Sequence, residues 1–331
     1  MTNHAITAAA CAALGLLIAQ PAAAACSLAA QPIAVKMDAQ RPMIDVKING
    51  KLGHFLVDSG AAVNLIGGKF AGSLKLTPTK VSDSGPAIVK AQTFEFAGAT
   101  LKDAPFVISE KLPDVDGVLG QTILHTGDVE YDLAAFGPNS SPSVKLFKAV
   151  GCDGVNMAYW AKEGDIFWEA ALTASGKDEP FTRVDVIVNG VKLRGVLSSG
   201  KFYTTITQKA AARAGVKPGD TGVQPLGSTG KVWMGSFSSV IIGNEETKSA
   251  PLEIDQTDDD FYDLLLGADF LSTHHLYVAN SQQKIYFTRA GAPGAPFKVH
   301  KAPTIGAIAG GAGDGRLTDH YSPASTNVPN N

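Results

Sequence analysis

Residues 45–60, DVKINGKLGHFLVDSG, return at residues 185–200 as DVIVNGVKLRGVLSSG, at a gap-free offset of 140. A second pair follows downstream: DGVLGQTIL begins at Asp116 and DLLLGADFL at Asp263, an offset of 147. Two matches in the same order and at nearly the same spacing make an internal duplication the economical reading. The chain is therefore constrained to build one supersecondary unit twice. The change in offset is a short insertion between the paired motifs.

Each half reads as β-rich. MIDVKI and RVDVIV alternate apolar and polar residues, and Asn49-Gly50 and Asn189-Gly190 are strong hairpin turns. HFLVDSG and RGVLSSG read as buried strands ending in a tight turn. TQKAAARAGV predicts a short helix with Gly215 as its stop. Another short helix is expected where the apolar runs GVLG and LLLG reach their glycine, with Asp269 as an N-cap. Between the halves, Trp160 and Trp168 lie in a crossing segment and are expected to be packing residues.

The chain has 331 residues, of which 45% are hydrophobic and 18% charged, enough for one large or two modest domains. A net charge of −3 with no Lys/Arg run argues against a nucleic-acid partner held by a basic surface. The first 25 residues contain no Asp, Glu, Lys or Arg and end in small residues, as a secretory signal peptide does. The alternative is a membrane anchor, but the apolar run is shorter than the ~20 residues a span needs, so no stable membrane span is expected. Cleavage after Ala25 removes Cys11 and leaves Cys26 and Cys152, an even pair suited to a disulfide in the periplasm or outside the cell. Two unpaired thiols, or a lipid on Cys26, are the alternatives; Ala23 stands where lipoproteins usually carry Leu.

Residues 55–64, FLVDSGAAVN, resemble the active-site motif of aspartic peptidases: an apolar strand, Asp-Ser/Thr-Gly, then a small residue. GVLG and LLLG resemble that family's second signature, which packs behind the catalytic loop. The mature region resembles two tandem retropepsin-like units of a secreted bacterial type. The resemblance implies a mostly β, two-lobed, pepsin-like architecture of β-barrels. The expected layout is a signal peptide (1–25), a first lobe (26–150), a crossing segment (151–180), a second lobe with a degenerate loop (181–290) and a disordered Gly/Pro/Ala-rich tail (291–331).

The family's chemistry uses two carboxylates and one water. Held close together, the carboxylates share a proton; the ionised one takes a proton from water and the other donates to the peptide carbonyl. Asp58, Ser59 and Gly60 fill the first loop. The second should read Asp-Ser-Gly and instead reads Ser198-Ser199-Gly200. Its likeness to a phosphate-binding loop fails, because Phe202 follows Lys201 where Ser or Thr is required and Gly195 aligns with Phe55.

Ser198 cannot act as a carboxylic acid near neutral pH. Without a like charge beside it, Asp58 is expected to be an ordinarily ionised carboxylate. The resemblance implies an exported aspartic-type endopeptidase working through Asp58-activated water, its activity in doubt. The alternative is an inactive pseudo-peptidase holding peptide or protein in the inter-lobe cleft; a secreted scaffold is a third reading. A homodimer pairing two Asp58 loops is one route to a second acid.

Flap hairpins are expected within 83–96 and 226–237, where Trp233 either touches a bound peptide or packs on its own hairpin. No cofactor is expected. The acidic run 254–263 does not match a calcium loop and is read as solvated. His274-His275 lack partners at metal-ligand spacing, so no metal site is expected. Ser198 and Ser199 lack a nucleophile-elbow context, and His54 is read as a strand-end residue.

Overall fold

The computed structural model describes residues 26–290, apart from 39, 81–84, 113, 135–140, 174–179, 228–229 and 258–260, together with Phe297. The protein is mostly β and two-lobed, as an acid protease is. Each lobe is a sheet closed on itself. In the first, Arg41–Ile48 pairs with Lys51–Val57 and also with Ala87–Phe96. In the second, Arg183–Val188 pairs with Val191–Leu197 and also with Val232–Ile242.

The duplication survives at atomic detail. Asn49-Gly50 and Asn189-Gly190 both adopt positive φ at their two positions, the backbone of a tight two-residue hairpin. Each Asn also ties its turn to a distant strand. The Asn49 N–H donates to Thr93 O (2.9 Å) and its Oδ1 accepts from Thr93 N (3.0 Å). Asn189 makes the same pair of bonds with Ser239, at 2.8 and 3.2 Å. This turn residue therefore helps to close the barrel as well as reverse the chain.

Asp116 and Asp263 make a second repeated contact. Asp116 accepts the His54 N–H (2.9 Å), and Asp263 accepts the Arg194 N–H (2.9 Å) together with the Arg194 and Arg213 side chains. The end of the acidic run is thus buried and paired rather than solvated: Asp263 is 7% exposed. Burial pushes its carboxyl up, but the two arginines and the Arg194 N–H outweigh this and hold it below the usual carboxylate range.

Beneath the lobes runs a shared six-stranded sheet. Ser27–Ala34, Ser143–Val150 and Asp128–Asp132 come from the first half; His274–Ala279 and Lys284–Arg289 come from the second; Trp168–Ala171 closes the edge. The two halves meet where Asp128–Asp132 pairs antiparallel with His274–Ala279. The His274-His275 pair sits on that seam. His274 contacts buried Glu245 (3.0 Å) and His275 contacts buried Glu130 (3.2 Å). Trp160 stacks on His275, with ring centroids 3.8 Å apart, and Trp168 stacks on Phe287; both tryptophans pack as expected.

One local expectation is corrected. The helix after LLLG spans Ala268–Leu271, and its N-cap is Gly267. Asp269 lies inside the first turn, where its carboxylate accepts from Thr204 N and Thr204 Oγ1 and so clamps the helix to the neighbouring strand. Gly195 fills a tight position in its own right, since a Cβ there would sit 2.6 Å from Val186 Cγ2. The Gln208–Arg213 helix forms as read, with Thr207 as its cap and Gly215 at φ +80°. The leader 1–25 lies outside the described residues, as does the tail 291–331 except Phe297. That residue is 1% exposed and stacks on Phe270, with ring centroids 5.8 Å apart. No helix among the described residues is long and apolar enough to cross a membrane.

Cys26 and Cys152 are joined in a disulfide across 126 residues of chain, tying the first strand of the shared sheet to the start of the crossing segment. Closing so long a loop restricts the unfolded chain, an effect of about 2–4 kcal/mol. Reduction, or Cys152→Ala, is expected to lower the denaturant midpoint accordingly and to raise the m-value, because the freed unfolded chain exposes more surface. An unchanged midpoint in equilibrium unfolding would show that the bond adds nothing to the sheet.

Candidate active site

Both repeated turns arrive at the same place. In each lobe the apolar strand before the turn pairs in parallel with the strand of the second motif: Phe55–Val57 with Gly117–Leu119, and Gly195–Leu197 with Leu264–Leu266. Asp58 N donates to Leu119 O (3.0 Å) and Ser198 N to Leu266 O (2.9 Å). The glycines that follow are held by repeat-equivalent side chains. Gly120 N donates to Asn64 Oδ1 and Gly267 N to Thr204 Oγ1, both at 3.0 Å. A Cβ on Gly120 or Gly267 would run into the backbone at Ala61–Val63 or Tyr203–Thr204, which is why the apolar-apolar-Gly signature ends in glycine.

The two turns are locked face to face by their middle residues. Ser59 N donates to Ser199 Oγ (3.0 Å), and Ser199 N donates to Ser59 Oγ (3.1 Å). Ser199 Oγ donates onward to Val57 O at 2.8 Å. Ser59, Ser198 and Ser199 are fully buried. Gly60 and Gly200 permit the close approach: a Cβ on Gly60 would overlap Ser198 Oγ, and one on Gly200 would overlap the Asp58 carboxyl.

The structure therefore brings Asp58, Ser59, Gly60, Ser198, Ser199 and Gly200 into one cluster. Asp58 Oδ1 accepts three bonds, from Gly60 N (2.7 Å), Gly200 N (3.0 Å) and Ser198 Oγ (3.2 Å). Ser198 thus stands where a second carboxylate is expected and spends its hydroxyl on the first. Asp58 is 4% exposed. Desolvation raises its carboxyl above the ordinary value of 3.8, against the opposing pull of Gly60, Gly200, Ser198 and the charge of Lys201. The expectation of an ordinary carboxylate is corrected in direction: burial moves the group above its usual value even with no second carboxylate beside it.

Sequence reasoning missed three supports of this cluster. Tyr131, buried in the shared sheet, hydrogen-bonds the Ser59 side chain from below. Gln121 Nε2 donates to Ser59 O at 2.7 Å. Arg41 reaches from the first lobe to lie over the Phe202 ring of the second, 4.5 Å from its centroid. Gln121 stands inside the quoted second motif and was findable there; Tyr131 and Arg41 carry no local signal.

Of the outlying residues, Trp233 is half-buried against the second lobe's core and faces Pro225 across the hairpin Gln224–Pro225/Val232–Ile242. The first-lobe counterpart joins Thr79–Lys80 to Ala87–Ile88, so most of the expected 83–96 flap is the returning strand Ala87–Phe96. His54 is exposed and bonds Asp45 at 2.7 Å, away from the site. Among the described residues no group of His, Cys, Asp or Glu side chains is arranged to hold a metal ion.

A family model described as aspartyl protease matches residues 44–123, which span the first loop and its second signature. A search of curated proteins finds no match.

The raised Asp58 carboxyl makes a signed prediction. A group whose folded pKa exceeds its unfolded value favours folding below the unfolded value and loses that contribution as pH rises through the folded one. Asp58→Asn keeps an acceptor for Gly60, Gly200 and Ser198 without the buried charge. It is expected to unfold at a higher temperature than wild type at pH 7, with the gap narrowing toward pH 3.5. A variant less stable than wild type at pH 7 would mean that Asp58 is held as a stabilised anion.

Proposed function

Because this chain carries a retropepsin-like aspartyl protease domain, we propose that it is exported, binds an extended peptide or unfolded protein segment between its lobes, and hydrolyses it slowly through a water on Asp58. The observation that carries this reading is the complete first loop. Asp58 keeps its full set of donors and its glycine, and its partner loop is in place, lacking only the second carboxyl group.

One carboxyl group supplies only half of the chemistry at a time. Ionised, Asp58 takes a proton from water but nothing protonates the departing amine; protonated, it donates but leaves the water unactivated. The bond from Ser198 favours the ionised form, and burial opposes it. Losing one acid–base partner costs about 10²–10⁴-fold in rate. The second reading, binding without hydrolysis, is favoured by this same substitution. A homodimer would not supply the missing acid, because the second lobe's own loop occupies the place facing Asp58. Export is supported by the uncharged leader and by the cysteine pair.

The test is cleavage of a broad peptide library from pH 3 to 7 by wild type, Asp58→Asn and Ser198→Asp. Wild-type cleavage is expected to be slow and absent in Asp58→Asn. Ser198→Asp is expected to raise the rate by about 10²–10⁴-fold and to convert a profile with a single ionisation into a bell. Binding with no cleavage by wild type, restored by Ser198→Asp, selects the pseudo-peptidase. No binding by any of the three proteins overturns the peptide reading.

A further inference from the structure

The duplication allows the two walls beside the catalytic turns to be compared residue by residue. In the first lobe, Leu65 pairs with Val107, and Val107 pairs with Ile88 beside the flap. These three join Leu56, Val118, Ala61 and Val63 in one apolar layer. In the second lobe the same register pairs Thr205 with Glu253, and Glu253 with Met234. The positions matching Ala61 and Val107 are therefore Lys201 and Glu253. They form an ion pair at 3.6 Å with side chains only 13% and 17% exposed, and Thr205 Oγ1 donates to Glu253 Oε1 at 3.0 Å. Lys201 directly follows Gly200, and its charge is felt at Asp58. A mostly buried charged pair where the duplicate has Ala and Val is costly to keep as packing alone.

Resting on the peptide-binding reading above, we propose that the site is asymmetric in specificity. The wall of the first lobe, through its partly exposed Ala61, Val63 and Ile88, takes an apolar side chain of the bound peptide, and the Lys201–Glu253 wall of the second takes a polar, hydrogen-bonding one. An extended chain presents side chains to alternate sides, so a single peptide meets both walls. Hydrogen-bonding groups left unpaired on burial are what make such a wall reject apolar side chains.

The experiment measures fluorescence anisotropy of labelled eight-residue peptides varied on each side of their centre, so it reads binding whether or not hydrolysis occurs. Wild type is expected to prefer apolar on one side and polar on the other. The double variant Lys201→Ala/Glu253→Val, which copies the first lobe, is expected to shift the polar side to apolar by about tenfold and leave the other side unchanged. Lys201→Met leaves Glu253 without its cation and is expected to select Lys or Arg at that position, an effect that a merely structural ion pair would not produce. Thermal unfolding confirms that both variants fold. Apolar preference on both sides in wild type, or no shift in folded variants, overturns the asymmetry while leaving peptide binding intact. No binding of any peptide by wild type removes the parent reading and this one with it.

Discussion

The reciprocal exchange between Ser59 and Ser199 is the contact on which the site depends. Each backbone N–H is satisfied by the other serine's hydroxyl, in a place where an unpaired donor would cost about 1–3 kcal/mol. The exchange fixes the distance between the lobes, and the two glycines then let the turns close until Ser198 touches Asp58. The apolar strand pairs behind each turn and the shared sheet beneath them hold the turns in this arrangement.

The duplication makes the chemical asymmetry legible. Most of the scaffold is present twice: the turn asparagines, the capping Asp116 and Asp263, and the glycines of the second signature. What differs lies next to Asp58. Ser198 stands where the first lobe has Asp58, and Lys201 and Glu253 stand where it has Ala61 and Val107. The two halves share their backbone geometry and differ in the chemistry of the side chains beside Asp58.

The parts of the fold visible in the sequence were those set by local chemistry. Asn-Gly requires positive φ, alternation sets which strand face is buried, and Asp-Ser-Gly announces a turn that approaches its twin. What escaped depended on distant chain. Tyr131 reaches Ser59 only because its strand lies in the shared sheet beneath the turn, and the glutamates beside His274 and His275 are 29 and 145 residues away in sequence. Asp269 was misassigned because its helix is only four residues long and its start is capped by Gly267 rather than by a side chain. The upward shift of Asp58 escaped for a related reason: the lack of a charged neighbour could be read from the sequence, but the dryness of the site could not.

The central claim is that one buried carboxyl, supported by a serine hydroxyl, stands where aspartic-peptidase chemistry needs two acids. The most direct measurement is the pH titration of the Asp58 side-chain carboxyl carbon by NMR in wild type and in Ser198→Asp. A single ionisation above 3.8 in wild type, splitting into two well-separated steps in Ser198→Asp, is the expected result. An Asp58 that titrates below 3.8 in wild type, or a Ser198→Asp protein with two independent, unsplit carboxylates, would contradict it.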